Sequence, residues 1–272
     1  MEFISLEHRF DKNEILMRHA PLLQRLHRLD ISLYGSMLSD ARESSVAAHY
    51  HLAGQLLTPL EGSVRVVTEN MHWLVPPSCG LWIPPEVSHE VLMKSSTKMV
   101  SIFLCRDSID ALPKECNAFV ITPLLLNLMI RITERSIGSG LLKGNQAYAS
   151  AVFEELADAT LLPLSFPMPV DYRALRVAHT VLEDPCGQQS IDELGGRYGV
   201  SARTLQRIFL RDTGLTFGSW RRQARLIAGF NAFNNGYSIG DASHVAGYES
   251  HSSFSVAFKK TFGHSPSRYR RS

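Results

Sequence analysis

Three histidines and a glutamine in the first hundred residues have the types and spacing of a metal or ligand site. His49 and His51 stand two positions apart, Gln55 follows four positions later, and His89 ends the run Gly80-Leu81-Trp82-Ile83-Pro84-Pro85-Glu86-Val87-Ser88-His89. Side chains alternate along a strand, so His49 and His51 point to one face. Two imidazoles, a nearby amide and a third imidazole from a neighbouring strand satisfy a divalent ion. Neutral imidazole is the ligating form, so affinity for an ion should fall on acidification through the histidine range.

A second set of residues suits recognition rather than reaction. Ser190-Ile191-Asp192-Glu193 has the S-x-x-E form of a capping box, which starts a helix at Ile191. That helix stops near Tyr198-Gly199, and Ser201 caps another that Gly214 ends. Leu205, Ile208 and Phe209 form the apolar face of this second helix, while Arg203, Gln206, Arg207 and Arg211 face away. Arg and Gln carry the forked donors that match guanine and adenine edges in a major groove. One such unit could equally be an ordinary helical hairpin with a solvated basic face.

The pattern then recurs, which favours recognition. Ser238-Ile239-Gly240-Asp241 starts a helix, Gly247-Tyr248-Glu249 makes a turn, and Ser250 caps a helix that ends at Phe262-Gly263. Phe254, Ala257, Phe258 and Phe262 share its inner face, with His251, Ser252, Ser255 and Lys259 away from it. A long helix over 217–234 joins the units, a rigid connector suited to holding two helices about one DNA turn, roughly 34 Å, apart.

The elements that must position these residues divide the chain. Short apolar runs over 56–68 and 73–88, broken by Gly62, Pro76-Pro77, Gly80 and Pro84-Pro85, predict strands and turns of a small β-barrel or jelly roll. Helical spacing over 124–136 and 145–162, around Gly138-Ser139-Gly140, predicts two helices that cap the barrel or form a dimer seam. Three prolines within 163–169 read as a stiff, extended linker, and Asp171 caps a helix running to about Glu183. Residues 171–272 hold 14 basic and 8 acidic side chains, a net of +6, against 14 and 18 before them, a net of −4. That asymmetry is expected when one part meets phosphates and the other does not.

Bulk properties exclude other classes. The chain has 272 residues, 44% hydrophobic and 20% charged, ample for globular cores. Its most apolar stretch, 118–132, is cut by Thr122, Pro123 and Asn127 and is shorter than the roughly 20 residues of a spanning helix. Residues 1–10 lack the apolar core of a secretory signal. Cys79, Cys105, Cys116 and Cys186 form no C-x-x-C pair and read as free thiols, so a cytoplasmic location is expected.

The segment Gly247-Tyr248-Glu249-Ser250-His251-Ser252-Ser253-Phe254, with Phe258-Lys259-Lys260-Thr261-Phe262-Gly263-His264-Ser265-Pro266-Ser267-Arg268-Tyr269-Arg270, resembles the signature of AraC/XylS-type transcription regulators. Residues 200–209 and Trp220-Arg221-Arg222 resemble the same family, so the likeness covers about the last hundred residues. The resemblance implies base readers at Arg203, Gln206 and Arg207 in the first unit and at His251, Ser252 and Ser255 in the second. Lys259 would lie nearer phosphates, and Tyr248, Phe254, Phe258 and Pro266 would be structural. Gly195-Gly196, Gly229 and Ala242 depart from the family pattern and imply a looser first unit. Val256 stands where some relatives carry a polar base reader, which implies weak discrimination by the second. The histidine spacing, with Gln-Leu-Leu after it and Leu-Trp-Ile-Pro before His89, resembles a cupin sensor domain. Gln55 in place of the usual acid, without an evident general base, argues against a catalytic centre.

The expected fold is thus multidomain α+β: a cupin-like sensor barrel over 1–112, a helical pair over 113–162 as a candidate dimerisation element, a linker over 163–170, and an all-α double helix-turn-helix domain over 171–272. The expected function is sequence-specific regulation of transcription, with no enzyme activity, on double-stranded promoter DNA. Its barrel would sense an effector whose identity the sequence leaves open, or a divalent metal ion held by His49, His51, Gln55 and His89. The DNA contacts would come from Ser201, Arg203, Gln206, Arg207 and Arg211, and from Ser250, His251, Ser252, Ser255 and Lys259. A homodimer, and RNA polymerase if the protein activates, would be the protein partners. The competing class is a metal-dependent cupin enzyme fused to a DNA-binding module.

Overall fold

Proline- and glycine-broken apolar runs become short antiparallel strands because each turn falls where the backbone can reverse. The structure, a computed structural model, describes residues 33–40, 44–69, 71–93, 96–104, 112–139 and 146–269. The readings made for residues 1–10 and for Cys105 lie outside the described residues. Eleven strands are described: β1 (Leu33–Asp40), β2 (Ser44–His49), β3 (Gly54–Glu61), β4 (Val64–Val67), β5 (Met71–Val75), β6 (Cys79–Ile83), β7 (His89–Met93), β8 (Thr97–Leu104), β9 (Asn117–Val120), β10 (Leu161–Leu162) and β11 (Ser165–Pro167). They form a six-stranded sheet in the order β1-β8-β3-β6-β9-β10 and a five-stranded sheet in the order β11-β5-β4-β7-β2. Among the described residues these are two sheets and not one closed barrel. Leu57, Leu81 and Met99 of the first sheet share an apolar cluster with Val64, Val75 and Val91 of the second.

The helices 124–136 and 145–162 of the sequence reading appear as α1 (Pro123–Ser139) and α2 (Gln146–Ala157). Leu125, Leu126, Met129 and Ile132 of α1 pack with Leu33, Val100 and Ile102 of β1 and β8, so this apolar face covers the chain's own sheet. Of the two roles expected for the pair, capping accounts for that face.

Residues 163–170 were expected to be a stiff, extended linker. They are extended, but they are not a free linker: β11 pairs with β5, with Phe166 opposite His72 and Pro167 opposite Met71. Leu162, Leu164, Phe166 and Met168 are buried at every second position. Pro167 fits because β11 is an edge strand, where a missing donor breaks no ladder, and Pro163 and Pro169 lie outside the strand. This apolar alternation makes one cluster of the sheet interior and the C-terminal helices.

Those helices are α3 (Tyr172–Glu183), α4 (Ile191–Arg197), α5 (Ala202–Thr213), α6 (Phe217–Asn234), α7 (Ile239–Val245) and α8 (His251–Phe262), followed by a 3-10 turn, Pro266–Tyr269. Among the described residues no helix is long and apolar enough to cross a membrane.

Candidate nucleic-acid interface and histidine cluster

Each unit in the C-terminal part is set by its caps. Ser190 Oγ accepts from the Glu193 N–H while the Glu193 carboxylate accepts from the Ser190 N–H, so the expected capping box is complete. Gly199, at φ 67°, turns the chain, and Ser201 Oγ accepts from the Thr204 N–H to start α5. Gly214, in the left-handed region, ends it. The second unit repeats the arrangement: Ser238 caps α7, Gly247 turns the chain at φ 67°, Ser250 Oγ accepts from the Ser253 N–H, and Gly263 ends α8. An N-cap of this kind contributes about 1 kcal/mol.

The connector α6 belongs to both cores. Near its start, Phe217 and Trp220 pack against Phe209 of α5, with ring centroids 5.1 and 5.2 Å apart. Near its end, Phe230 packs against Phe258 and Phe262 of α8, at 5.2 and 5.0 Å. At 18 residues, α6 is about 27 Å long by the usual helical rise. Sequence reasoning missed the role of its arginines: Arg221 donates to the Gln189 and Gly187 carbonyls, and Arg225 to the Pro185 carbonyl at 2.7 Å, pinning the loop between α3 and α4. Arg221 lies in the Trp220-Arg221-Arg222 motif, but its acceptors and those of Arg225 are not legible locally, because they are backbone groups more than thirty residues away.

Two glycines read as departures have a packing cause. A Cβ on Gly195 would stand 2.3 Å from the Val200 carbonyl oxygen, so α4 closes tightly on its own turn. A Cβ on Gly229 would stand 2.7 Å from Phe254 and 2.8 Å from the Ala246 side chain, so α6 crosses the second unit at close range. Helix propensity is exchanged for packing at both positions, whereas a Cβ on Gly196 would meet open space.

The residues singled out for DNA contact divide into three groups. Arg203, Gln206, Arg207, His251, Ser252 and Lys259 are exposed on α5 and α8, and Ser255 is half-buried. Ser201 and Ser250 spend their hydroxyl oxygens on the caps and so position their helices. Arg211 is exposed but lies in the last turn of α5, paired with Asp212 at 2.5 Å. Asp212 in turn accepts from the Val170 and Asp171 N–H groups, fixing the entry to α3. Of the residues given structural roles, Phe254, Phe258 and Pro266 are buried, and Tyr248 stacks edge-on against Phe254.

The histidine cluster forms because β2 and β7 pair with His49 opposite His89, after a register shift beyond Val46. His51 follows β2, and Gln55 enters from β3 of the other sheet. The ligating nitrogens of the three histidines lie within 4.8 Å of one another. Each Nδ1 faces a backbone carbonyl: Ala47 at 2.8 Å from His49, Ala53 at 2.6 Å from His51, and Val87 at 2.9 Å from His89. A carbonyl only accepts, so each Nδ1 carries the proton. Burial disfavours the imidazolium and lowers all three pKa values, that of His89 to about 3, which leaves each Nε2 as a lone pair. Gln55 Oε1 stands 3.1 Å from the Nε2 atoms of both His51 and His89, while its amide nitrogen donates to Ser101 Oγ. Acceptors then face acceptors with no hydrogen between them. That is repulsive unless a cation sits there, or unless the carboxamide turns over and donates to both rings. The donor set therefore fits a divalent ion.

Comparison with known proteins bears on the C-terminal units. Residues 194–272 match a family model described as a helix-turn-helix domain. The chain is similar to the HTH-type transcriptional regulator NimR of Escherichia coli K12, 27% identical over 84% of this chain and 83% of that one. It is 35% identical to the HTH-type transcriptional regulator RipA of Corynebacterium glutamicum, over 38% of this chain and 31% of the relative. Among solved structures, ToxT from Vibrio cholerae aligns over 88% of this chain and 97% of its own, with 15% identity and a TM-score of 0.37. The relatives are named regulators and not enzymes, in keeping with the expected lack of a catalytic centre. The chain thus carries a helix-turn-helix domain over residues 194–272, in two capped units, and along most of its length it is similar to a named transcriptional regulator.

Proposed function

We propose that α5 and α8 enter successive major grooves of one operator and read its sequence, and that the two-sheet part regulates this through its histidine site. The observation that carries the reading is that a single helix, α6, supplies core aromatics to both capped units. A shared rigid core fixes the separation of the two reading helices, as recognition of one continuous site requires. The direct test titrates the full chain against a labelled fragment of its own upstream region, at several salt concentrations, with excess random duplex. Retention with a steep salt slope is expected, whereas complete loss to competitor on that fragment and on sequences selected from a random pool would end the reading.

Individual contacts can be separated in the same assay. Arg203→Ala or Arg207→Ala is expected to cost about 1–3 kcal/mol and relax preference at one base pair. An equal loss on cognate and random DNA would make that arginine a phosphate contact. Lys259→Ala should weaken all sequences alike and make the salt slope shallower by about one unit.

For the two-sheet part, the reading is a sensor that answers a small molecule or a metal ion. His49, His51 and His89 would hold the ion through Nε2, with Gln55 Oε1 beside them, and backbone carbonyls on Nδ1 would fix the tautomer. An occupant shifts DNA binding only through different affinities for the DNA-competent and incompetent arrangements. In metal-free full-length protein loaded with Zn2+, Ni2+ or Co2+ and then gel-filtered, about one ion per chain should be retained, and His49→Ala should lose it. If no ion is retained by the unaltered chain, the metal part of the reading is overturned and Gln55 instead donates to both rings.

A further inference from the structure

We propose that Val256 reads the C5-methyl group of a thymine in the second half of the operator, making the two units unlike in what they recognise. This rests on the reading of α5 and α8 as the groove-entering helices. The two helices align by their caps, Ser201 and Ser250, and their burial confirms the register. Leu205 and Phe254 are buried four positions after the cap, as are Phe209 and Phe258 eight positions after it. In this alignment Arg203 corresponds to Ser252, Gln206 to Ser255 and Arg207 to Val256. The first unit thus presents forked donors where the second presents two hydroxyls and an isopropyl group.

Val256 is 71% exposed in the middle of a helix whose other exposed side chains are polar. It contributes nothing to the core of the unit, and as a β-branched residue it adds little to the helix. The major groove offers one kind of apolar feature, the thymine methyl, and apolar side chains read thymine through it. Ser252 and Ser255 bond to several base edges, so beside them the valine is the side chain that can separate thymine from the other bases. Leu210, 54% exposed, is the other large apolar side chain exposed on a reading helix. It sits in the last turn of α5, where α8 has Lys259, beyond the N-terminal half that meets base edges. Low polarity at position 256 therefore changes what the second unit discriminates and does not abolish its discrimination.

The test uses the full chain. Binding sequences are selected from a random duplex pool, and each thymine of the selected site is then replaced in turn by deoxyuridine, which removes only the methyl group. Affinity should fall about 3–5-fold at one thymine of the second half-site, the worth of one methyl group leaving contact. In Val256→Ala that deoxyuridine penalty should vanish while the penalties at other thymines persist, and Val256→Arg should shift selection at that position towards guanine. Val256 is exposed, so neither substitution disturbs the core. An unchanged deoxyuridine profile in Val256→Ala would overturn the assignment while leaving the DNA-binding reading intact. A pool that yields no enriched sequence would overturn both.

Discussion

Trp220→Ala is expected to destabilise the protein by about 3–5 kcal/mol, a large part of the 5–15 kcal/mol of a typical domain. Trp220 is fully buried where three parts of the molecule meet. Its ring stands edge-on to Phe166 of β11 at 6.2 Å and to Phe209 of α5 at 5.2 Å, and its indole Nε1–H donates to the Pro167 carbonyl at 2.7 Å. Removing it opens a cavity between the sheet, the first unit and the connector. It also strips the Pro167 carbonyl of its donor. Trp220→Phe separates the two effects, because it keeps most of the volume and loses only the hydrogen bond, at about 1–3 kcal/mol. Urea unfolding of both variants measures the division. Equal losses would mean that the bond, and not the packing, dominates.

The second large effect is on acidification. His72 of β5 is buried against Phe166 and stands 5.8 Å, ring to ring, from His179 of α3. Burial first, then the positive fields of Arg65 and His179, lower its pKa to about 4, and its Nδ1 finds no partner. Arg65 is itself depressed by burial and drawn the other way by Glu183. The folded state refuses a proton that the unfolded chain accepts near pH 6.5. The stabilisation is therefore present above about pH 6.5 and is lost as pH falls towards 4. Between pH 7 and pH 5 the loss from His72 is about 2 kcal/mol. The buried cluster histidines add to the total, so the comparison that isolates His72 is with His72→Phe. That variant should lose about 2 kcal/mol less than the unaltered chain over the same interval. Identical pH dependence would show that His72 is not the titrating group. His72 faces α3 across the junction, so the same acidification should loosen the two-sheet part from the C-terminal helices.

Legibility in the sequence followed the range of the interactions. Ser190, Ser201, Ser238 and Ser250 were readable as caps because each bonds a backbone N–H three residues on. The apolar faces of α5 and α8 were readable because a helix repeats every 3.6 residues. His49 and His89 could be suspected together from spacing alone, but forty residues separate them, and the β2–β7 register sets them opposite each other. In the segment 163–170 the prolines made the extended backbone legible, while the apolar alternation beneath them acquires meaning only when β5 lies alongside. At Gly195 and Gly229 only the helix-propensity cost is legible in the sequence, because the close contacts they permit exist only once the chain is folded.

The sequence by itself determined that this protein has two groove-sized, serine-capped helices on a common connector, since capping and helical periodicity act within a few residues. Only the tertiary structure decided how those helices are held: through Trp220 and Phe230 on opposite ends of α6, with the strand from the proline-rich segment packed against the first. It alone also turned the histidine rings inward, because the position of an imidazole nitrogen depends on carbonyls supplied by the folded backbone around it. Local interactions fix which elements form, and burial between distant segments fixes what those elements can do.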